Sequence, residues 1–422
     1  MNYNILVIGN GFDLAHGLPT RYLDFLDFCH KIQTYSVNID HETFTLEPFA
    51  PAPSSLKLSS KINAWGFSDD NEFVETLKNK SQNWVKYPLY DQIKSYIMDN
   101  VWLKHFYTKA EDKTWVDFET EISRIIAVLD EIYWEYNQAG QPETIILNSS
   151  KHNIENIKAV IDDLNKSFNN NAISIDISHK EPTHTSAITL SIVRDEISKF
   201  LSTLDSDINE LIECLSFYLN VILYLMDSKK MLSKITQITD IKVDKVLSFN
   251  YTDTYERIYE EKEKDPEEWK DLREKKYHNI HGSCSWTEDS DNNMVLGVDD
   301  YLEKNEDKDL INYDTFFISY KKYYQRILKK TGTKYLRWIE ALNTNGFTSD
   351  VYIYGHSLDK TDKDVLRGLI LSKQAKTKVF YLDREDLGKK IANLVTVLGR
   401  ESVISLTGNR KLSFVKIEPT GA

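Results

Sequence analysis

The strongest constraint on the fold is an alternation that begins at Val351. VYIYG reads as a strand, LDKTDKDVLRGLIL as a helix, KVFYLD as a strand and REDLGKKIANLVTVLG as a helix, and VISL follows in the position of the next strand. Strands separated by helix-length segments pair in parallel, because the chain must cross back over the sheet before the next strand, and such crossovers are right-handed. Tyr3–Ile8 (YNILVI) is another apolar run that stops at glycine, and Val246–Phe249 is a third kind of strand end, with helix from Thr254 onward. The sheet is therefore split in sequence. One strand opens the chain, the others come late, and a large, mainly helical insertion lies between them. The fold class is α/β.

The insertion has its own texture. Thr20 is placed to cap RYLDFLDFCHKI, in which Tyr22, Phe25, Leu26 and Cys29 recur at helical spacing. Residues 40–70 include LEPFAPAPSS, a proline- and serine-rich stretch that reads as a surface loop. Asn71–Tyr136 turns mostly helical, Thr144–Asn148 (TIILN) is strand-like, and Leu190–Leu232 is helical again. A chain of 422 residues with 41% hydrophobic and 12% aromatic content can fill the cores of two domains.

A net charge of −13 argues against wholesale coating of nucleic acid. Lys321–Trp338 is a local basic-aromatic exception; it reads first as a solvated helix face with Tyr and Leu toward a core, and second as a nucleic-acid or partner-binding helix. Cys29, Cys214 and Cys284 are far apart, so neither a zinc ribbon nor a disulfide framework is supported and a reducing cytoplasm fits best. The N-terminus enters a strand with no basic leader, and no apolar run approaches the ~18 residues that span a membrane. These features point to a cytoplasmic protein.

Four stretches carry chemistry. Gly9-Asn10-Gly11-Phe12-Asp13 follows the first strand, where glycines let the backbone approach an anion and the next turn can offer N–H groups. A dinucleotide fingerprint would need a third glycine at Leu14, whereas the next is Gly17, so a tight strand-to-helix turn is an equal reading. Ser248–Asp253 ends an apolar strand, and Asn250 there can both donate to and accept from a sugar hydroxyl, or serve an Asx turn. In His278-Asn279-Ile280-His281-Gly282, His281 suits a general base or a ribose-hydroxyl partner, while the pair lacks a third metal ligand nearby. Gly355-His356-Ser357-Leu358 is a second glycine-terminated strand end, after which Thr361 or Asp362 can cap a helix.

Together IGNGFDLAHGLPTRYLDF, SFNYTDTYE, HNIHG and YGHSLDKTDKDVL resemble the AbiH family of bacterial abortive-infection proteins, and Trp115-Val116-Asp117-Phe118-Glu119 looks like that family's W-x-D-x-E element. The same motifs are similar to a diverged sirtuin-like NAD-binding domain, which implies a Rossmann-like sheet. On that resemblance Gly9, Asn10, Gly11, Phe12, Asp13 and Gly17 would hold the dinucleotide, with Gly282, Gly355, His356 and Ser357, and Asn250 and His281 would be catalytic. The departures are Phe249 for the glutamine of Q-N-x-D, Thr252 where its aspartate would stand, Asn10 for the alanine of G-A-G, and no four-cysteine module. Protein deacetylation is disfavoured. NAD hydrolysis to nicotinamide and ADP-ribose is the leading expectation, a nucleotide sensor without turnover the next, and a nuclease the third.

NAD or a related nucleotide is the one cofactor or substrate expected, with no metal and no membrane, and nucleic acid is disfavoured. The resemblance places a discontinuous nucleotide-binding domain at 1–30 and 240–422 and a mainly helical domain at 31–239. The latter is the natural place for a lid, a homo-oligomer contact or the action of a phage-derived or host trigger.

Overall fold

The computed structural model describes residues 3–39, 67–81, 90–112, 117–167, 172–176, 187–228, 232–260, 265–284, 292–298, 317–344 and 346–418. In chain order its strands are β1 (Ile5–Ile8), β2 (Thr144–Asn148), β3 (Ile173–Asp176), β4 (Ala187–Ile192), β5 (Lys245–Ser248), β6 (Tyr277–Asn279), β7 (Ser349–Tyr354), β8 (Ala375–Tyr381) and β9 (Leu412–Lys416). The chain packs as two compact units. The first comprises Met1–Arg21, Leu219–Val295 and Arg326–Ala422; the second comprises Tyr22–Tyr218 and Leu296–Gln325.

The first unit is built on a six-stranded sheet in the order β6-β5-β1-β7-β8-β9, with every neighbouring pair parallel. Counted along the chain within this sheet, the order is third, second, first, fourth, fifth, sixth. The chain runs outward from β1 through β5 to β6, then returns to the far side of β1 for β7. That reversal leaves a topological switch point between β1 and β7, and in open parallel sheets ligands gather outside the carboxyl ends at such a point.

β1 is buried on both faces, which is why ILVI reads as a continuous apolar run rather than an alternation. Ile5 and Val7 join Leu247, Val351, Ile353 and Val379 in one core. Leu6 and Ile8 join Val246, Tyr354 and Phe380 in the other.

Two elements differ from the sequence reading. VISL lies inside the helix Arg400–Gly408, and the last strand is β9, LSFVK. A four-residue apolar run carries no period of its own; here Gly399, at φ +88°, separates one helix from the next, so the run continues helically. Leu190–Ile192 belongs to β4, and the long helix that follows is Arg194–Ser228.

The second unit is helical around a three-stranded antiparallel sheet, β2-β4-β3. β2 confirms the strand at TIILN. Its helix Phe118–Gln138 stacks Phe118 on Phe106 with ring centroids 3.8 Å apart and on Tyr22 at 4.1 Å. Residues 40–66, with the expected proline-rich loop, lie outside the described residues. The Arg194–Ser228 helix is, contrary to the sequence reading, long and apolar enough by composition to cross a membrane. However, 72% of its apolar window is buried within the protein, as in the core helix of a globular fold.

Candidate functional site

Parallel pairing puts the carboxyl ends of β6, β5, β1 and β7 side by side, and each delivers one of the four stretches singled out in the sequence. At the switch point the glycines meet one another. A Cβ on Gly355 would sit 2.1 Å from the Phe12 amide nitrogen, and one on Gly11 would sit 2.8 Å from the Gly355 Cα and carbonyl oxygen. A Cβ on Gly9 would likewise sit 2.7 Å from the His356 Cα. Gly355 also adopts φ +69°, a left-handed conformation that glycine tolerates without cost.

The turn's backbone groups are engaged too. Gly9 N–H donates to the Tyr354 carbonyl (3.2 Å), Gly11 N–H to the Gly355 carbonyl (2.8 Å) and Phe12 N–H to Gly9 (2.8 Å). An anion approaching Gly11 would have to displace the Gly355 carbonyl. Phe12 itself is fully buried in the core against Tyr354. Asn10 and Ser357 are exposed, and Thr20, expected as a cap, donates its hydroxyl to Asn10 Oδ1 at 2.5 Å. Gly17, at φ +83°, turns the chain after the short helix Asn10–Ala15.

Between β1 and β5 lies a buried polar cluster. Thr252 donates to Asp13 Oδ2 at 2.5 Å, and Thr254 donates to Thr252 at 3.0 Å. Asp13 is buried, and its Oδ1 receives no hydrogen bond from the described residues. Burial pushes its carboxyl up to about 6, against the pull of the neighbouring Thr252, Thr254 and Asn250 side chains; nearby Asp253 pushes the same way as burial. Asn250 donates from Nδ2 to the Gly9 carbonyl at 3.0 Å, which ties the end of β5 to the end of β1. Beside it, His16 Nδ1 bonds the Phe12 carbonyl (2.7 Å) and Nε2 faces the Tyr259 hydroxyl (2.9 Å), which accepts Ile235 N–H. The carbonyl can only accept, so His16 carries its proton on Nδ1, and burial holds its pKa below the usual range.

The second cluster joins β6 to β7. His281 Nε2 lies 3.1 Å from Asp362 Oδ1, and His356 Nε2 lies 3.4 Å from Asp362 Oδ2. All three residues are buried. The Phe249 ring packs edge-on against both imidazoles, with centroids 5.6 Å from His281 and 4.3 Å from His356. Gly282 makes the turn after His281: at φ +76° a Cβ there would lie 2.0 Å from the Asn293 carbonyl oxygen. Lys390 donates to the His356 carbonyl at 2.7 Å, and burial lowers its pKa. His278, by contrast, stacks on Tyr335 (5.4 Å) and is pushed down to about 4 by burial and by Lys334 and Arg326.

Asp362 escaped the sequence reading because a helix cap and a histidine partner look alike in one dimension. Its side chain makes no capping bond to the helix Lys363–Ile370, while Asp359 caps the preceding turn by accepting from Thr361 N–H at 3.0 Å. The role of Thr252 was hidden in the same way, since its partner Asp13 is distant in sequence. Among the described residues no group of three or more His, Cys, Asp or Glu side chains could hold a metal ion. Of the W-x-D-x-E element, Trp115 and Val116 lie outside the described residues. Asp117 caps the helix Phe118–Gln138 by accepting from Glu119 N–H (3.0 Å) and Thr120 N–H (3.3 Å), and Glu119 pairs with buried Lys322 at 2.8 Å.

The family model described as bacteriophage abortive infection AbiH matches residues 5–382. That span takes in all four strand-end stretches. No curated protein and no solved structure matches the chain.

Proposed function

The chain belongs to the AbiH family, which implies a role in abortive infection by bacteriophage, and from that premise we propose that its parallel-sheet unit binds NAD in a Rossmann-like, sirtuin-like site and hydrolyses it. The observation that carries this reading is the convergence of Asp13, Asn250 and His281 on one edge of the sheet. They arrive from the carboxyl ends of β1, β5 and β6, which lie side by side.

The nicotinamide of NAD is cationic and leaves neutral, so its departure needs no strong acid. Water attacks the ribose C1′, the C1′–N bond breaks, its electron pair goes to the nicotinamide ring, and the water's proton goes to a base. His281 is that base. Asn250, fixed by the Gly9 carbonyl, orients the ribose edge. The Asp13 carboxylate, buried beside the developing oxocarbenium cation, stabilises positive charge there far more than an exposed carboxylate would. Gly11, Gly355 and Ser357 line the phosphate and adenosine side.

One observation favours binding without turnover. Asn250 spends an amide hydrogen on Gly9 and Gly11 spends its N–H on Gly355, so the edge is tied to itself before any ligand arrives. The experiment is direct. Full-length protein incubated with NAD and resolved by chromatography yields nicotinamide and ADP-ribose, and His281→Ala abolishes the product. Calorimetric binding of NAD with no product over hours would select the sensor instead.

A further inference from the structure

We infer that Asp362 is a positioning residue that sets which nitrogen of His281 carries the proton, and that His356 is its second anchor rather than a ligand contact. The inference rests on the reading of His281 as the base. An ionised carboxylate only accepts hydrogen bonds, so the His281 Nε2 atom 3.1 Å from Asp362 Oδ1 is the donor, and the lone pair falls on Nδ1. The second oxygen is held from the other side. Leu358 N–H donates to His356 Nδ1 at 2.8 Å, so the neutral His356 ring carries its proton on Nε2, which lies 3.4 Å from Asp362 Oδ2.

The geometry is built for this purpose in three ways. Asp362 occupies the capping position of the helix Lys363–Ile370 yet makes no side-chain capping bond there, so a capping role does not account for it. Leu358, buried and with no glycine's freedom, sits at φ +62° with its N–H on His356, a left-handed conformation that side-chain-bearing residues seldom adopt. Phe249 packs its apolar ring edge-on against both imidazoles, so the two histidines share one apolar wall. The resemblance led to a glutamine there; the phenylalanine leaves the imidazoles no side-chain hydrogen-bonding rival from that position.

The test is spectroscopic first and kinetic second. In full-length protein labelled with ¹⁵N-histidine, long-range proton–nitrogen spectra should show His281 protonated on Nε2 with a lone-pair signal at Nδ1, the resonance assigned through His281→Gln. Asp362→Asn should redistribute the His281 proton and lower kcat for NAD cleavage by at least about 100-fold with KM nearly unchanged, and Asp362→Glu should restore part of it. His281 protonated on Nδ1 in the wild-type protein overturns the inference whether or not the variant folds. An unchanged His281 tautomer in a folded Asp362→Asn variant overturns it equally. Wild-type protein that shows the expected tautomer but leaves NAD intact supports the positioning role and sinks only the hydrolytic reading.

Discussion

At the scale of single residues, the glycines and Asp13 carry the sharpest consequences. Gly355 combines φ +69° with a missing Cβ that would lie 2.1 Å from the Phe12 amide nitrogen. Alanine there must move backbone rather than a side chain, so Gly355→Ala should cost about 4 kcal/mol in urea denaturation. A loss under about 1 kcal/mol would mean that the two strand ends are not in contact. Asp13 gives a pH signature. Its folded-state pKa of about 6 lies above the ordinary carboxylate value near 3.9, so between the two the folded state holds more protons than the unfolded state. The stability contributed by protonated Asp13 is complete below about pH 4 and is lost as pH rises through about 6, for a total of about 3 kcal/mol. Asp13→Asn never ionises. The stability of that variant minus that of the wild type should therefore climb by about 3 kcal/mol between pH 4 and pH 8, and a flat difference would show that Asp13 is hydrated. Gly355 was legible in the sequence because a strand that halts at glycine has few explanations. Asp362 was not, because its partner His281 is 81 residues away and only the pairing of the strands brings the two near.

At the scale of elements, the W-x-D-x-E segment divides into two jobs that a helical pattern conceals. Asp117 caps the helix Phe118–Gln138, and Glu119 faces Lys322, whose side chain is 4% exposed. Asp117→Ala should cost about 1 kcal/mol, the usual value of a lost cap. Glu119→Ala should cost more, about 2 kcal/mol, because it takes a carboxylate from a buried ammonium; a fully buried pair would lose about 3–5. Thermal unfolding of the two variants side by side checks the ranking, and an equal loss would mean that Lys322 does not depend on Glu119. The same scale explains where reading by period failed. VISL and Leu190–Ile192 are short apolar runs next to longer elements, and their length lets them join either neighbour. The expected basic helix over Lys321–Trp338 is instead two helices, Lys322–Leu328 and Lys334–Thr344, parted where Gly332 takes φ +90°.

At the scale of the whole chain, the sequence showed that the strands were parallel and split, but not their order. Order is decided by which crossover packs on which face, and nothing local encodes that. The realised order puts the motif-bearing strand ends side by side, which is why four stretches unremarkable alone belong together. Charge is the other property of the whole, and it separates the nucleotide readings from the nuclease one. The net charge is −13, and the basic stretch that would offset it locally is largely spent internally. Lys321 and Lys322 are buried, Arg326 pairs with Asp364 at 3.1 Å, and Lys329 donates to the Met294 carbonyl at 2.6 Å. Lys330, Lys334 and Arg337 remain in that stretch, enough to neutralise about three phosphates at most. Duplex DNA should therefore bind more weakly than about 100 μM at physiological salt, with only a shallow salt dependence, in a fluorescence-anisotropy titration of a labelled duplex. Micromolar binding that falls steeply with salt would place phosphate contacts on a basic surface elsewhere and bring the nuclease reading ahead of NAD.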